Sequence, residues 1–134
     1  EFRRVLFRSA TSYTPTVIDS GGGRTFTTTI TSARYTQIGN LRWFSVDLTV
    51  TAASGTGSGG FRVSLPATST YAVAGSAYGD NMTSGAKTDL QVIIPAAASY
   101  AEVVHYENGD SNSLVDHVQA TTRLVISGVY FSAP

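Results

Sequence analysis

The strongest constraint on this chain is an alternation that begins at Phe44. The even positions Phe44, Val46, Leu48 and Val50 are apolar, while Ser45, Asp47, Thr49 and Thr51 between them are polar. A period of two puts all four apolar side chains on one face of a strand, whereas a helix would scatter them around its circumference. The β-branched and aromatic residues of the run also suit a pleated, half-buried surface. The same phase returns after the turn-rich segment from Ala53 to Gly60. There Phe61, Val63 and Leu65 alternate with Arg62 and Ser64, and Pro66 closes the strand. Residues 34 to 65 therefore read as one long hairpin with a glycine-rich tip.

The rest of the chain follows the same grammar. Tyr13 to Ile18 suggests a short first strand, which Pro15 confines to a sheet edge or to its own start. The run from Asp19 to Gly23 breaks it. Phe26, Thr28 and Ile30 alternate with Thr27 and Thr29, but the apolar phase slips near Ser32 to Arg34, where a β-bulge would restore register before Tyr35. Gly39 and Asn40 tolerate positive φ and predict a tight turn. Residues 68 to 87 have no sustained period and read as loops with one short strand near Tyr71 to Ala74. Leu90, Val92 and Ile94 form a strand stopped by Pro95, and the alanine-rich run after it is too short for a helix. Glu102 to Tyr106, a turn at Asn108-Gly109, a return through Ser113 to Gln119, and a closing strand from Arg123 to Phe131 complete the pattern. About eight or nine short strands with no helical period predict an all-β fold, an antiparallel β-sandwich or barrel.

Length and composition bound what such a fold can do. A chain of 134 residues fits a single domain and buries roughly two-thirds of its unfolded surface. There is no cysteine, so packing or oligomerisation must supply stability without disulfides or thiolate metal sites. No run of apolar residues is long enough for a transmembrane helix. The first nine residues, EFRRVLFRS, fit no strand or cap pattern. They are also the translation of GAG TTC AGA CGT GTG CTC TTC CGA TCT, the end of a common sequencing adapter, and are read as an assembly artefact outside the fold. The single domain is then 10 to 134, with natural sequence expected upstream. Removing Glu1, Arg3, Arg4 and Arg8 leaves six basic and eight acidic residues. That balance offers no basic patch for nucleic acid.

Arg34-Tyr35-Thr36-Gln37-Ile38-Gly39-Asn40, the strand from Phe44 to Val50, the glycines at 55, 57, 59 and 60, and Leu65-Pro66 form an ordered set of short motifs. Together with the ending Leu124-Val125-Ile126-Ser127-Gly128-Val129-Tyr130, the set resembles the carboxy-terminal receptor-binding or tip domains of bacteriophage tail fibre and tail spike proteins. The resemblance covers most of Tyr13 to Phe131. It implies a jelly-roll-like sandwich, a virion location in the phage tail, and a homotrimer.

Candidate chemistry is sparse. His105 and His117 would face each other across the Asn108-Gly109 hairpin, with Glu107, Asp110 and Asp116 nearby. Their spacing matches no zinc motif, and rim histidines on strands are the simpler reading. Glu107 to Asn112 is rich in oxygen ligands but lacks the order and terminal glutamate of a calcium loop. No carboxylate pair can be nominated for glycoside hydrolysis. The chain is therefore read as non-enzymatic, with no metal and no cofactor.

Binding is the better expectation, and Trp43, Tyr71, Tyr78, Tyr100 and Tyr106 are the aromatics that could stack on a sugar ring. Trp43 is out of phase with its own core and so faces solvent, another sheet or a neighbouring subunit. Loops on a rigid sandwich usually carry binding residues. The candidate ligand site is accordingly Tyr71, Tyr78, Asp80, Asn81, Tyr106, Asn108 and Asp110, facing a bacterial surface glycan or outer-membrane receptor. Two rivals remain: a trimerisation or capping domain that binds nothing, and a carbohydrate-binding module of a secreted bacterial enzyme. The last would carry a catalytic domain and a secretion signal upstream.

Overall fold

A computed structural model describes residues 9–57, 59–83, 89–107 and 110–134. Every regular element among them is a strand: β1 (Thr11–Ser12), β2 (Val17–Asp19), β3 (Arg24–Ile38), β4 (Leu41–Gly55), β5 (Phe61–Ser64), β6 (Val73–Asp80), β7 (Leu90–Ile94), β8 (Tyr100–Glu107), β9 (Asp110–Ser113) and β10 (Arg123–Phe131). All pairings are antiparallel. They join in the order β1-β3-β4-β10-β6-β7-β8-β5-β2, with β9 hung on β8. The antiparallel all-β expectation is met. Hydrogen bonding runs through one sheet that curls about its core, however, rather than dividing into two. The curl brings β2, at the end of the path, against β3, near its beginning. Phe26 of β3 and Phe61 of β5 meet across the interior edge to face, with ring centroids 5.1 Å apart.

The inner face is the one the alternation requires. Phe44, Val46, Leu48 and Val50 of β4 are buried, and so are Leu124, Ile126 and Tyr130 of β10, Phe61 and Val63 of β5, and Val92 and Ile94 of β7. Ser45 between them is exposed, and Asp47 and Thr49 are only partly covered. The phase slip is a pair of bulges. Ile30 pairs with Leu48 and Ser32 with Asp47, leaving Thr31 as the extra residue on β3; Thr51 is the extra residue on β4. Two bulges on opposite strands let both fifteen-residue strands follow the curl while keeping their apolar residues inside. The turn joining β3 to β4 has positive φ at Gly39 (59°) and not at Asn40. Such a turn needs glycine at its first central position.

Three expectations are corrected. The long hairpin of residues 34 to 65 does not form. Both edges of β4 are taken, by β3 and β10, and β5 pairs with β2 and β8. The glycine-rich segment is a crossover docked on other loops, with Gly57 N–H donating to Asp116 Oδ1 (2.9 Å) and Gly60 N–H to Ser20 Oγ (2.7 Å). The short strand expected near Tyr71 to Ala74 is the eight-residue β6 between β10 and β7, while positions 84–87 of that stretch lie outside the described residues. The alternation of β6 is hidden in the sequence because Val73, Gly75, Ala77 and Gly79, the partly covered set, are mostly too small to register as apolar. The return after Asn108-Gly109 is the short β9, with Glu107 paired to Asp110, and not a strand reaching Gln119.

Candidate functional site

The predicted site residues do not form one patch, because Tyr71 lies apart from Tyr78 and Asp80. Tyr78 and Asp80 are exposed on β6, and Asn81 follows with φ of 56°, its carbonyl accepting from Thr122 Oγ1 (2.9 Å) and Gln119 Nε2 (3.0 Å). Tyr71 lies before β6 and meets Phe131 edge to face at 6.2 Å. Phe131 and Val125, which pairs with Tyr78, are six residues apart on β10. At a strand's rise, that separation is about 20 Å. Tyr106 is half-buried on β8. Asp110 opens β9, and Asn108 falls outside the described residues.

The two histidines do meet, with ring centroids 4.7 Å apart and planes at 82°. His105 is not a rim residue, because it is buried, while His117 is partly covered in a turn with Thr83 Oγ1 3.3 Å from its Nδ1. The described residues contain no group of three or more His, Cys, Asp or Glu side chains able to hold a metal.

What the fold does assemble is the outer face of β3, β4, β10 and β6, where register sets residues in rows. One end is charged. Arg123 pairs across β10 with Thr49 and Asp80, and one step along lie Asp47, Val125 and Tyr78. The Arg123 guanidinium grips Asp47 with two of its nitrogens, Nε to Oδ1 at 3.0 Å and Nη2 to Oδ2 at 2.7 Å. These hydrogen bonds hold the Asp47 carboxyl below the usual carboxylate range. A middle row is small and polar: Arg34 and Ser45 are paired, and so are Ser45 with Ser127 and Ser127 with Ser76.

The other end is apolar. Trp43 pairs with Val129 and Thr36, and Leu41 with Phe131 and Ile38. Trp43 is 41% exposed and Phe131 46%, with Tyr71 beside them. The β6–β10 ladder stops at Ser76 and Ser127, while β10 runs on against β4 to Phe131. Beside the end of that ladder lies a depression of about 310 Å³ lined by Trp43, Phe44, Ala74, Gly75, Ser76 and the β10 residues from Ser127 to Val129. Close backbone approach makes glycine necessary at position 75 and leaves little room at 128. A Cβ on Gly75 would run into the Ser127 carbonyl oxygen, and one on Gly128 would lie 2.9 Å from Phe44 Cε1. A second depression of about 200 Å³ adjoins Trp43 on its β3 side, lined by Arg34, Tyr35, Thr36 and Ser45 among others. The out-of-phase Trp43 and the candidate Tyr71 are the sequence signals of this end. Gly75, Gly128 and Arg34 were not singled out as site residues, because their roles depend on which strands flank them.

No family model matches this sequence, and none of the curated proteins does. Among solved structures it is similar to the Dettilon tailspike protein (gp208), with 15% identity, a TM-score of 0.70 and 92% of this chain covered. The fold is shared with part of a phage tailspike. The matched region is 23% of the tailspike chain, so this chain corresponds to under a quarter of that protein.

Proposed function

We propose that this chain is a non-enzymatic receptor-binding domain of a bacteriophage tail, located in the virion and acting outside the cell. In this reading a homotrimer holds the curled sheet as a jelly-roll-like scaffold and presents it to a bacterial surface glycan or outer-membrane receptor. The observation that carries the reading is the tailspike fold joined to an exposed aromatic surface, Trp43, Tyr71 and Phe131, that the domain's own packing leaves open. Weak contacts at each copy suit such a module, since threefold presentation multiplies their effective strength by roughly 10²–10⁴. The test is adsorption of the purified full chain to susceptible and resistant bacteria, beside an assay for release of reducing ends from envelope polysaccharide. Selective adsorption without release of sugar is expected.

A second reading has the same exposed face as its ground. A trimerisation or capping domain would bury Trp43 and Phe131 between copies and contact no host. In that case an assembled trimer adsorbs to no strain.

A further inference from the structure

We propose that the two depressions flanking Trp43 form one binding site for an acidic glycan, with Trp43 stacking on a sugar ring and Arg34 pairing with a carboxylate or phosphate carried by it. The proposal rests on the receptor-binding reading above and names the surface and ligand class of that function.

The site is built rather than incidental. The first depression lies at the end of the β6–β10 ladder, where the backbones of Gly75, Ser127 and Gly128 approach closely beside Trp43. The second depression lies across Trp43, so an extended ligand of more than one ring meets the indole in passing from one to the other. Ser76 and Ser127 line one side, and Thr36 and Ser45 the other. Their hydroxyls both donate and accept, as sugar hydroxyls do.

The ligand's charge follows from the arginines. Arg24 lies 3.6 Å from Asp116 and donates to the Val118 carbonyl at 2.8 Å. Arg42 donates to Ser132 Oγ and sits over the Tyr35 ring, Arg62 pairs with Glu102 over Tyr100, and Arg123 is held by Asp47. Among the described residues, Arg34 is the arginine with no such partner, and it is exposed. The acid nearest in register is Asp47, which pairs with Ser32 two residues along β3, and both of its oxygens are engaged by Arg123. No acidic residue among those described lines either depression. An anionic sugar therefore finds an uncompensated cation beside an aromatic face, without a carboxylate to repel it.

Trp43 is the only tryptophan in the chain, so its fluorescence reports directly on this site. The experiment titrates the full chain with polygalacturonate, a phosphomannan and neutral dextran. It then repeats the titrations by calorimetry on Arg34→Gln, Trp43→Ala and the distant exposed control Ile18→Ala, and measures adsorption of each variant to susceptible cells. The acidic probes should shift Trp43 emission while dextran does not, and whichever of the two binds more tightly identifies the anion as carboxylate or phosphate. Arg34→Gln and Trp43→Ala should each weaken binding about tenfold, with Ile18→Ala unchanged. Wild-type adsorption that survives both substitutions, or that occurs with no response to either acidic probe, overturns this site while leaving the receptor-binding reading intact. Loss of all adsorption in the wild type removes that reading as well. Emission shielded from a soluble quencher in an oligomer assigns the face to a second copy of the chain and also overturns the proposal.

Discussion

The outer face of β4 and β10 has two ends built on the same pair of strands, and they differ in whether the fold completes them. At the charged end Asp47 and Arg123 answer each other with two hydrogen bonds, so that surface is already satisfied. At the aromatic end Trp43, Val129 and Phe131 stand exposed, the neighbouring Arg34 has no carboxylate partner among the described residues, and the hydrogen-bonded ladder between β10 and β6 ends beside a depression. A domain gains nothing by itself from exposed tryptophan and an idle cation. On this contrast we propose that recognition lies at the end that requires something from outside.

The predictions sharpen this contrast, and the largest tests the face itself. Val46→Asp should abolish the cooperative unfolding transition, since an unpaired carboxylate in a fully buried site costs several kcal/mol. Asp47→Val, its neighbour on the opposite face, should still fold, and circular dichroism melts of the pair decide it. The reverse order would invert every facing assigned to β4.

Next in size is the close approach beside the depression. Gly75→Ala places a methyl against the Ser127 backbone and should cost about 1–3 kcal/mol in urea denaturation. A neutral result would mean that β6 and β10 are not held as close as the fold requires.

Tyr130 lies beneath the aromatic end, its hydroxyl accepting from Ala67 N–H at 3.2 Å. Burial raises its pKa and, more strongly, that of Tyr13. A group whose folded pKa lies above its unfolded value of about 10 stabilises the fold below that pH, and the contribution is lost as pH rises through the folded value. Thermal stability should therefore fall in strong alkali, and Tyr13→Phe should flatten that fall.

The smallest effect belongs to the charged end. Because the Asp47 carboxyl is held below its ordinary range, its contribution is present above the unfolded pKa and fades as pH falls through the folded one. Asp47→Asn should thus lower the melting temperature slightly at neutral pH, with the difference from the wild type closing only in strong acid, below the lowered folded pKa.

How much of this was legible in the sequence depended on side-chain size and strand neighbours. The inner face of β4 and the bulge near Ser32 could be read because large apolar residues mark their phase. β6 could not, because Gly75, Ala77 and Gly79 carry its inward positions. Alternation also says which way a side chain points without saying which strand lies alongside. The hairpin between β4 and β5 failed for that reason, and the depression at Gly75 and Gly128 escaped notice for the same one. Trp43 was visible as an anomaly of phase, while Arg34 gained meaning only when every other described arginine was seen to be engaged.

The most direct test of the account is a single comparison of adsorption to susceptible cells by two full-length variants, Trp43→Ala at the aromatic end and Tyr78→Ala at the charged end. Both side chains are exposed and neither supports the core, so differences in folding do not confuse the result. The account predicts the larger loss of adsorption for Trp43→Ala. A larger loss for Tyr78→Ala would place recognition at the end the fold completes by itself and contradict it.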